Sequence, residues 1–589
     1  MPATTTPNLN HLWGKLLVEE LIRQEANYFC ISPGSRSSPL TMSAASNPKA
    51  RIFVHFDERA SAFHALGYAS ATLQPAVLIC TSGTAAANYF PAVIEASKKK
   101  LPLVILTADR PPELRQTGAN QTIEQSGLFG EYVRWRVDLP CPTLDIKPEF
   151  LLTTVDQAIY RSCRSPAGPV HINCMFREPL EPVDPKEDGS AYIHTLKSWA
   201  GTCDPYTSYV FPQPDLQPED LTSVLSILKR IERGVIVVGK LYSESDRMTV
   251  LRLAEKLRWP IFADVTSGLR LGQTHAQIIS FYDQILLFQK IGEKLAPDGV
   301  LHFGGRMTSK RWYEFIEKNR PRHYVMILNH PLRNDPQHQV TLRVEASSGR
   351  VCRALIPSLT ERNNVQYLKS WQRLSLHVQK TIDGFRENNG TLNEPMVARV
   401  ISEHIDAGHG LFLGNSMPVR DMDMYAANGH KKVVIGANRG ASGIDGTIAT
   451  ASGFAHGLQK PVTLLLGDLA FLHDLNSLTI VKDLKQPMTI VVINNNGGGI
   501  FSFLSVAEHF KSFERLFGTP HHLSFESAGN LFGLVYARPS TLKQFEKEYR
   551  RALKGDQSII IEVETKRMAN RSLHDRWQEK IKEALENIR

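Results

Sequence analysis

Two largely apolar runs in the C-terminal third of the chain stop at polar turns. Residues 462–466 run into Gly467-Asp468, and residues 488–493 run into Asn494-Asn-Asn-Gly-Gly-Gly499. Short, nearly continuous apolar runs suit strands covered on both faces, as in a parallel sheet flanked by helices. The same rhythm recurs along the chain. Strand-like runs at 28–31, 52–56, 76–80 and 103–106 alternate with amphipathic stretches, including predicted helices over 57–69 and 84–100. A second set lies at 235–238, 260–262, 300–303 and 324–328, and a third adds 411–413, 432–435 and 558–562. The β-α-β-α order predicts an α/β chain of three doubly wound domains with mostly parallel sheets. Their expected bounds are 1–185, 215–365 and 390–589. Residues 186–215 read as a polar linker, Thr360-Glu-Arg362 as a turn opening a helical connection to about 389, and the tail after Lys566 as a helix.

The chain has 589 residues, too many for one core. No apolar run approaches the roughly 20 residues of a membrane span, so no membrane association is expected. Met1-Pro-Ala-Thr-Thr-Thr-Pro7 lacks the basic segment and apolar core of a secretory signal and reads as a short disordered lead. Seven scattered cysteines without a CxxC fit reduced thiols in a cytoplasmic protein. The net charge of +9 suits either a generally basic surface or a pocket for polyanionic substrates. The cations are dispersed and no nucleic-acid-binding motif is present, so no nucleic-acid partner is expected.

Asp468, Asn495 and the Gly497 carbonyl form an oxygen set suited to Mg²⁺, with Mn²⁺ as the alternative, holding a diphosphate. Each lies just past a predicted strand, where open α/β sheets place ligands. A helix-capping aspartate plus an Asn-Gly turn is the plainer account of these residues. The spacing of 27 positions and the two strand contexts favour the metal. This pattern resembles the GD…N motif of thiamine-diphosphate enzymes. Such enzymes need a carboxylate beside N1′ of the aminopyrimidine, and Glu58 in His55-Phe-Asp-Glu-Arg59 is the candidate. A largely desolvated site would raise its pKa for that task. Otherwise it is a first-turn helix glutamate favoured by the dipole.

Further motifs narrow the resemblance. They are Ser32-Pro-Gly-Ser-Arg-Ser-Ser-Pro39, Phe56-Asp-Glu-Arg59, Thr81-Ser-Gly-Thr-Ala-Ala-Ala-Asn88, Ala108-Asp-Arg-Pro-Pro112 and Thr117-Gly-Ala-Asn-Gln121. Gly414-Asn-Ser-Met-Pro-Val-Arg420, Asn438-Arg-Gly-Ala-Ser-Gly-Ile-Asp-Gly446 and the segment 494–501 follow in order. With these the chain resembles the 2-succinyl-5-enolpyruvyl-6-hydroxy-3-cyclohexene-1-carboxylate synthase family, thiamine-diphosphate enzymes of menaquinone synthesis. The central domain matches mainly at Thr308-Ser-Lys-Arg311.

The resemblance implies a thiamine-diphosphate-binding fold, with 1–185 as the pyrimidine domain and 390–589 as the diphosphate and metal domain. It implies decarboxylation of 2-oxoglutarate and 1,4-addition of the resulting succinyl semialdehyde carbanion to isochorismate. Family positions put substrate contacts at Ser35, Arg36, Arg110, Gln121, Lys310, Arg311, Ser416, Arg420 and Arg439. Both substrates are dicarboxylates, which suits several cations. Cofactor contacts fall at Glu58, Ser416, Ile444, Asp468, Asn495, Gly497, Ile500 and Phe501. Asn415-Ser416 touches the diphosphate or the substrate. Ile444 either bends the cofactor or is a core residue, and Ile500 and Phe501 are equally compatible with core packing. No histidine is among the matches, so protonation after carboligation rests on the cofactor amine, water or Glu58. The family also implies a homodimer or dimer of dimers with shared active sites. No FAD is expected, because the central domain lacks a Gly-rich fingerprint beyond Gly304-Gly305. The alternative function is another thiamine-diphosphate 2-oxoacid decarboxylase or carboligase. An enzyme acting on small apolar oxoacids does not need Arg36, Arg110, Arg420 and Arg439 together. A nucleotide- or nucleic-acid-binding protein that had lost its chemistry would not keep Glu58, Asp468 and Asn495.

Overall fold

The computed structural model describes residues 7–183, 190–212, 214–271, 274–361, 365–387, 391–429 and 432–588. Its strands are β1 (Tyr28–Ile31), β2 (Arg51–Val54), β3 (Ala76–Cys80), β4 (Leu103–Asp109), β5 (Trp135–Leu139), β6 (Pro169–Met175), β7 (Gly234–Val238), β8 (Ile261–Ala263), β9 (Gly299–Phe303), β10 (His323–Leu328) and β11 (Leu342–Glu345). The last sheet takes β12 (Gly410–Leu413), β13 (Val434–Ala437), β14 (Val462–Gly467), β15 (Met488–Asn494), β16 (Val535–Ala537) and β17 (Ile559–Glu564). The three sheets run β2-β1-β3-β4-β6-β5, β11-β10-β9-β7-β8 and β13-β12-β14-β15-β17-β16. Every strand pairing within these sheets is parallel; an isolated Thr391–Thr541 bridge is antiparallel. The strand runs that carried the sequence argument are the central ones: β3, β4 and β15 are buried along their whole length.

Several elements escaped the pattern. β5 alternates between half-buried and exposed positions at a sheet edge, and only Leu139 at its end is buried. β6 is wholly buried but carries His171 and Asn173, which interrupt its apolar run. The third-domain strand expected at 432–435 lies at Val434–Ala437. The helix expected over 84–100 is two, Thr84–Asn88 and Phe90–Lys99. Pro91 has no N–H for the helix ladder and its ring crowds the carbonyl four residues back, so the helix restarts there.

The predicted linker is partly built. Tyr192–Leu196 and Lys197–Ala200 are short helical turns. Trp199 is buried and donates its indole N–H to Glu20 at 2.6 Å. Burial raises the Glu20 carboxyl to about 8. Residues 1–6 of the expected leader, part of the linker (184–189), and residues 362–364 and 388–390 of the helical connection lie outside the described residues. No described helix is long and apolar enough to cross a membrane. All seven cysteines are free, and five are buried.

Two compact units emerge. One comprises 1–212, 438–459 and 473–486; the other comprises 213–437, 460–472 and 487–589. In the first, the helix Thr447–Leu458 packs along Glu58–Thr72. Gly453 makes that possible, since a Cβ there would sit 1.9 Å from the His64 carbonyl oxygen. In the second, one apolar cluster runs from Phe262 and Trp312 through Trp371 to Trp577.

Candidate active site

In the first unit, polar residues gather after β1, β2, β3 and β4. Arg36, after β1, is 3% exposed. It donates to the Phe176 carbonyl at 2.9 Å and pairs with Glu178 at 3.2 Å. Burial lowers its pKa first, and the charge of Arg110, after β4, lowers it further. Nε of each guanidinium is buried without a hydrogen-bond partner among the described residues. A buried donor left in this state is costly unless a ligand meets it. Ser35 is exposed beside them. Gln121 reaches the loop after β3, donating to the Ser82 carbonyl at 2.8 Å while its own carbonyl accepts from Ser82 Oγ at 3.0 Å.

Glu58 opens the helix Glu58–Thr72 just past β2. Asp57 caps that helix by accepting from the Ala60 N–H at 3.2 Å, so Glu58 is spared the capping role. It is half-buried and near enough to Cys80 for its charge to help hold that thiol up, behind the larger effect of burial. Arg439 and Ile444 belong to the loop 438–446 of the same unit, and both are half-buried. Glu95 anchors this loop by accepting from the N–H groups of Gly440 at 2.7 Å and Ala441 at 2.6 Å.

In the second unit, Asp468 follows β14, opens the short helix Asp468–His473 and is 2% exposed. Its Oδ1 accepts from the Leu469 N–H at 2.7 Å, and its Oδ2 from the Gly497 N–H at 2.8 Å and His521 Nε2 at 3.1 Å. The Leu523 N–H donates to His521 Nδ1 at 3.0 Å, which leaves the ring proton on Nε2. Asn495, past β15, gives its Nδ2 to Glu394 Oε1 at 3.0 Å. Its Oδ1 is buried with no hydrogen-bond partner among the described residues. Gly497 has φ 128°, and a Cβ there would meet the Gly518 carbonyl oxygen at 1.9 Å, so only glycine fits. A carboxylate, an unmatched amide oxygen and a glycine backbone fit a hard divalent cation.

Ser416 precedes the helix Met417–Tyr425 with φ 71°, a costly conformation for serine. Arg420 donates back to its carbonyl. The positive end of that helix, with buried Asn415 beside it, suits an anion. Ile500 and Phe501 lie half-buried in the turn Gly499–Phe503. Ile500 packs on the main apolar cluster, and Phe501 meets Phe517 edge-on at 5.7 Å.

Lys310 and Arg311 start the central helix Lys310–Lys318. The Lys310 side chain is 84% exposed and pairs with Glu314 at 2.9 Å. Arg311 pairs with mostly buried Asp283 at 2.7 Å. Neither joins the Ser416–Arg420 turn through a described hydrogen bond.

Glu95, Glu394 and His521 were not singled out from sequence. Their partners lie 345, 101 and 53 residues away, and no local pattern marks such contacts.

Three thiamine pyrophosphate enzyme family models match the chain. They are the N-terminal TPP binding domain over 13–128, the middle domain over 190–413 and the C-terminal TPP binding domain over 422–563. Curated relatives named 2-succinyl-5-enolpyruvyl-6-hydroxy-3-cyclohexene-1-carboxylate synthase are similar over nearly the whole length. The Rubrobacter xylanophilus protein is 47% identical over 570 residues, covering 97% of this chain and 98% of the relative. The Chlorobium phaeobacteroides protein is 45% identical, with 98% of each covered. The Salinibacter ruber protein is 42% identical, again with 98% of each covered. A solved protein from Mycobacterium smegmatis, described as thiamin diphosphate-dependent, superposes with a TM-score of 0.70 at 16% identity. It covers 94% of this chain and 99% of its own, and supports the α/β thiamine-diphosphate-binding fold.

Proposed function

The chain belongs to the 2-succinyl-5-enolpyruvyl-6-hydroxy-3-cyclohexene-1-carboxylate synthase family of thiamine-diphosphate enzymes, and from that premise we propose how its residues serve the reaction. The substrates are 2-oxoglutarate and isochorismate. CO₂ leaves the first, and the remaining four-carbon unit joins the second by 1,4-addition. Bound thiamine diphosphate supplies the electron sink that makes the former keto carbon a nucleophile. Asp468, Asn495 and the Gly497 carbonyl hold Mg²⁺ or Mn²⁺, and Ser416 at its helix start meets the diphosphate or a substrate carboxylate. Glu58 holds the proton at N1′ of the aminopyrimidine. Ile444, Ile500 and Phe501 exclude water around the reacting carbons.

The observation that carries the substrate class is the adjacent pair Arg36 and Arg110, each with a buried, unmatched Nε. Such donors suit carboxylates, and guanidinium is the side chain that meets them in a two-pronged geometry. Ser35, Gln121, Arg420 and Arg439 complete the substrate set. Lys310 and Arg311 of the central domain join that set.

We take the working form as a homodimer or dimer of dimers in the cytoplasm, with active sites shared between subunits. The edge strand β2 and the turn after it support association: Ile52 is 41% and Val54 59% exposed in the strand, and Phe56 62% just beyond it, an apolar strip that a monomer would leave wet. Sedimentation velocity at micromolar protein checks this, and a monomeric species with full activity would refute it.

The deciding assay supplies thiamine diphosphate, Mg²⁺, 2-oxoglutarate and isochorismate and follows isochorismate loss together with CO₂ release. Stoichiometric loss of both is expected. Decarboxylation of pyruvate without isochorismate consumption would replace this reading with a simple 2-oxoacid decarboxylase.

A further inference from the structure

We propose that Glu394 is a positioning residue that aims the Asn495 amide at the metal. The inference rests on reading Asp468, Asn495 and Gly497 as the cation site. An asparagine amide has an acceptor face and a donor face, and a half-turn exchanges them. Only the oxygen face binds a cation, so something must fix the turn. Glu394 Oε1 accepts from Asn495 Nδ2 at 3.0 Å and from Thr565 Oγ1 at 2.9 Å. A carboxylate oxygen that accepts both bonds admits the NH₂ group and rejects the carbonyl. The amide oxygen is thereby left buried and without a partner among the described residues, as a ligand atom awaiting its ion would be.

Glu394 is itself fixed. It is 3% exposed and is the first residue of the helix Glu394–His404. Asn393 caps that helix by accepting from the Met396 N–H at 3.0 Å, and Pro395 pre-sets its first turn. Thr565 continues the sheet, donating its N–H to the Asn494 carbonyl at 2.9 Å. Glu394 therefore joins the loop after β15 to the end of β17. Outer groups that orient metal ligands change metal affinity about 10- to 100-fold when removed.

The test measures Mn²⁺ affinity by electron paramagnetic resonance, with thiamine diphosphate present, on the full-length protein. E394A is expected to weaken Mn²⁺ binding about 10- to 100-fold. E394Q, whose amide oxygen can accept the same two bonds, should bind within about threefold of the parent. E394A should add little to N495A, because the two act on one interaction. Mn²⁺ binding by folded E394A equal to the parent overturns the proposal. So do additive effects of E394A and N495A, which would mark a general structural role, and a loss in E394Q as large as in E394A. If E394A does not fold, E394Q is placed in the N495D background, where its amide can donate to the new carboxylate. Tighter Mn²⁺ binding than N495D alone supports the proposal, and no tightening overturns it. Failure of the parent protein to bind Mn²⁺ would instead remove the metal reading on which the inference stands.

Discussion

The N-terminal and C-terminal sheets have the same strand order, and their strand ends carry opposite chemistry. In both, the first strand lies between the second and third, and the fourth lies next to the sixth. Both bring the loop after strand one close to strand three through a glycine. A Cβ at Gly34 would meet Thr81 Cβ at 2.2 Å, and one at Gly414 would meet Leu466 Cβ at 3.0 Å. Both brace strand four from a buried polar residue on strand six: Asn173 donates to Asp109 at 2.9 Å, and Glu562 accepts from Asn494 at 2.6 Å. The loops diverge from there. After strands one and four the N-terminal sheet places Arg36 and Arg110, with unmatched donors. After strands three and four the C-terminal sheet places Asp468 and Asn495, the latter with an unmatched acceptor. Shared topology fixes where ligands can be met; the loop side chains decide whether the ligand is an anion or a cation.

The largest expected effects separate these two rims. Asp468→Ala removes the only carboxylate of the acceptor set, so metal-dependent cofactor binding and turnover should disappear together. Glu58→Gln should lower kcat about 10²- to 10⁴-fold while calorimetry still detects thiamine diphosphate. Equal cofactor affinity in Asp468→Ala and the parent would break the assignment of the C-terminal rim. Loss of cofactor binding in Glu58→Gln would make Glu58 a structural residue.

The two rims were not equally legible. The apolar runs of β3, β14 and β15 end in short polar motifs, so Asp468 and Asn495 stood out as candidates from strand context and spacing, together with the GD…N pattern they resemble. Arg36, Arg110 and Arg439 follow strands too, but an arginine in a turn carries no signal of burial. Only the family resemblance singled them out. Sheet edges were harder still, because β5, β11 and β16 are short and half-wet and lack the runs that mark central strands. The braces Asn173, Glu562, Glu394 and His521 meet partners set by the packed fold, which no local window contains.

An intermediate effect tests whether the donor rim reads carboxylates. Arg110→Ala should raise KM for one of the two dianionic substrates about 10- to 100-fold, as expected for the loss of a charged hydrogen bond, with kcat much less affected. Arg420→Ala should do the same selectively for one substrate. Equal losses on both substrates, or none, would show that these guanidiniums do not sort the carboxylates.

The sheets also differ in their response to acid. His171 lies in β6 of the N-terminal sheet, bonded to Thr107 Oγ1 at 2.7 Å. The strands of the C-terminal sheet contain no histidine. Burial, aided by the charge of Arg136, lowers the His171 pKa to about 3. The unfolded chain takes up this proton near pH 6.5 and the folded chain only near 3, so stability is intact above 6.5 and falls as pH drops between the two values. The full loss is at most about 5 kcal/mol. Tm should decline over this window, and His171→Gln should flatten the decline if the variant remains folded. An unchanged slope would place the acid sensitivity elsewhere, for instance at His302 in β9, whose pKa burial lowers to about 4.

The smallest effect belongs to Lys310 of the central domain. Lys310 is exposed and its pair with Glu314 is a surface i,i+4 contact, worth at most about 0.5 kcal/mol. Lys310→Ala should therefore leave Tm within the error of the measurement. Any rise in its KM for a carboxylate substrate then reports substrate contact rather than damage to the fold. An effect approaching that of Arg110→Ala would extend the donor rim to the central domain. No change in either KM would take Lys310 out of the substrate set and leave Arg311, which would have to keep or loosen its pair with Asp283 to meet a carboxylate, as the remaining central-domain candidate.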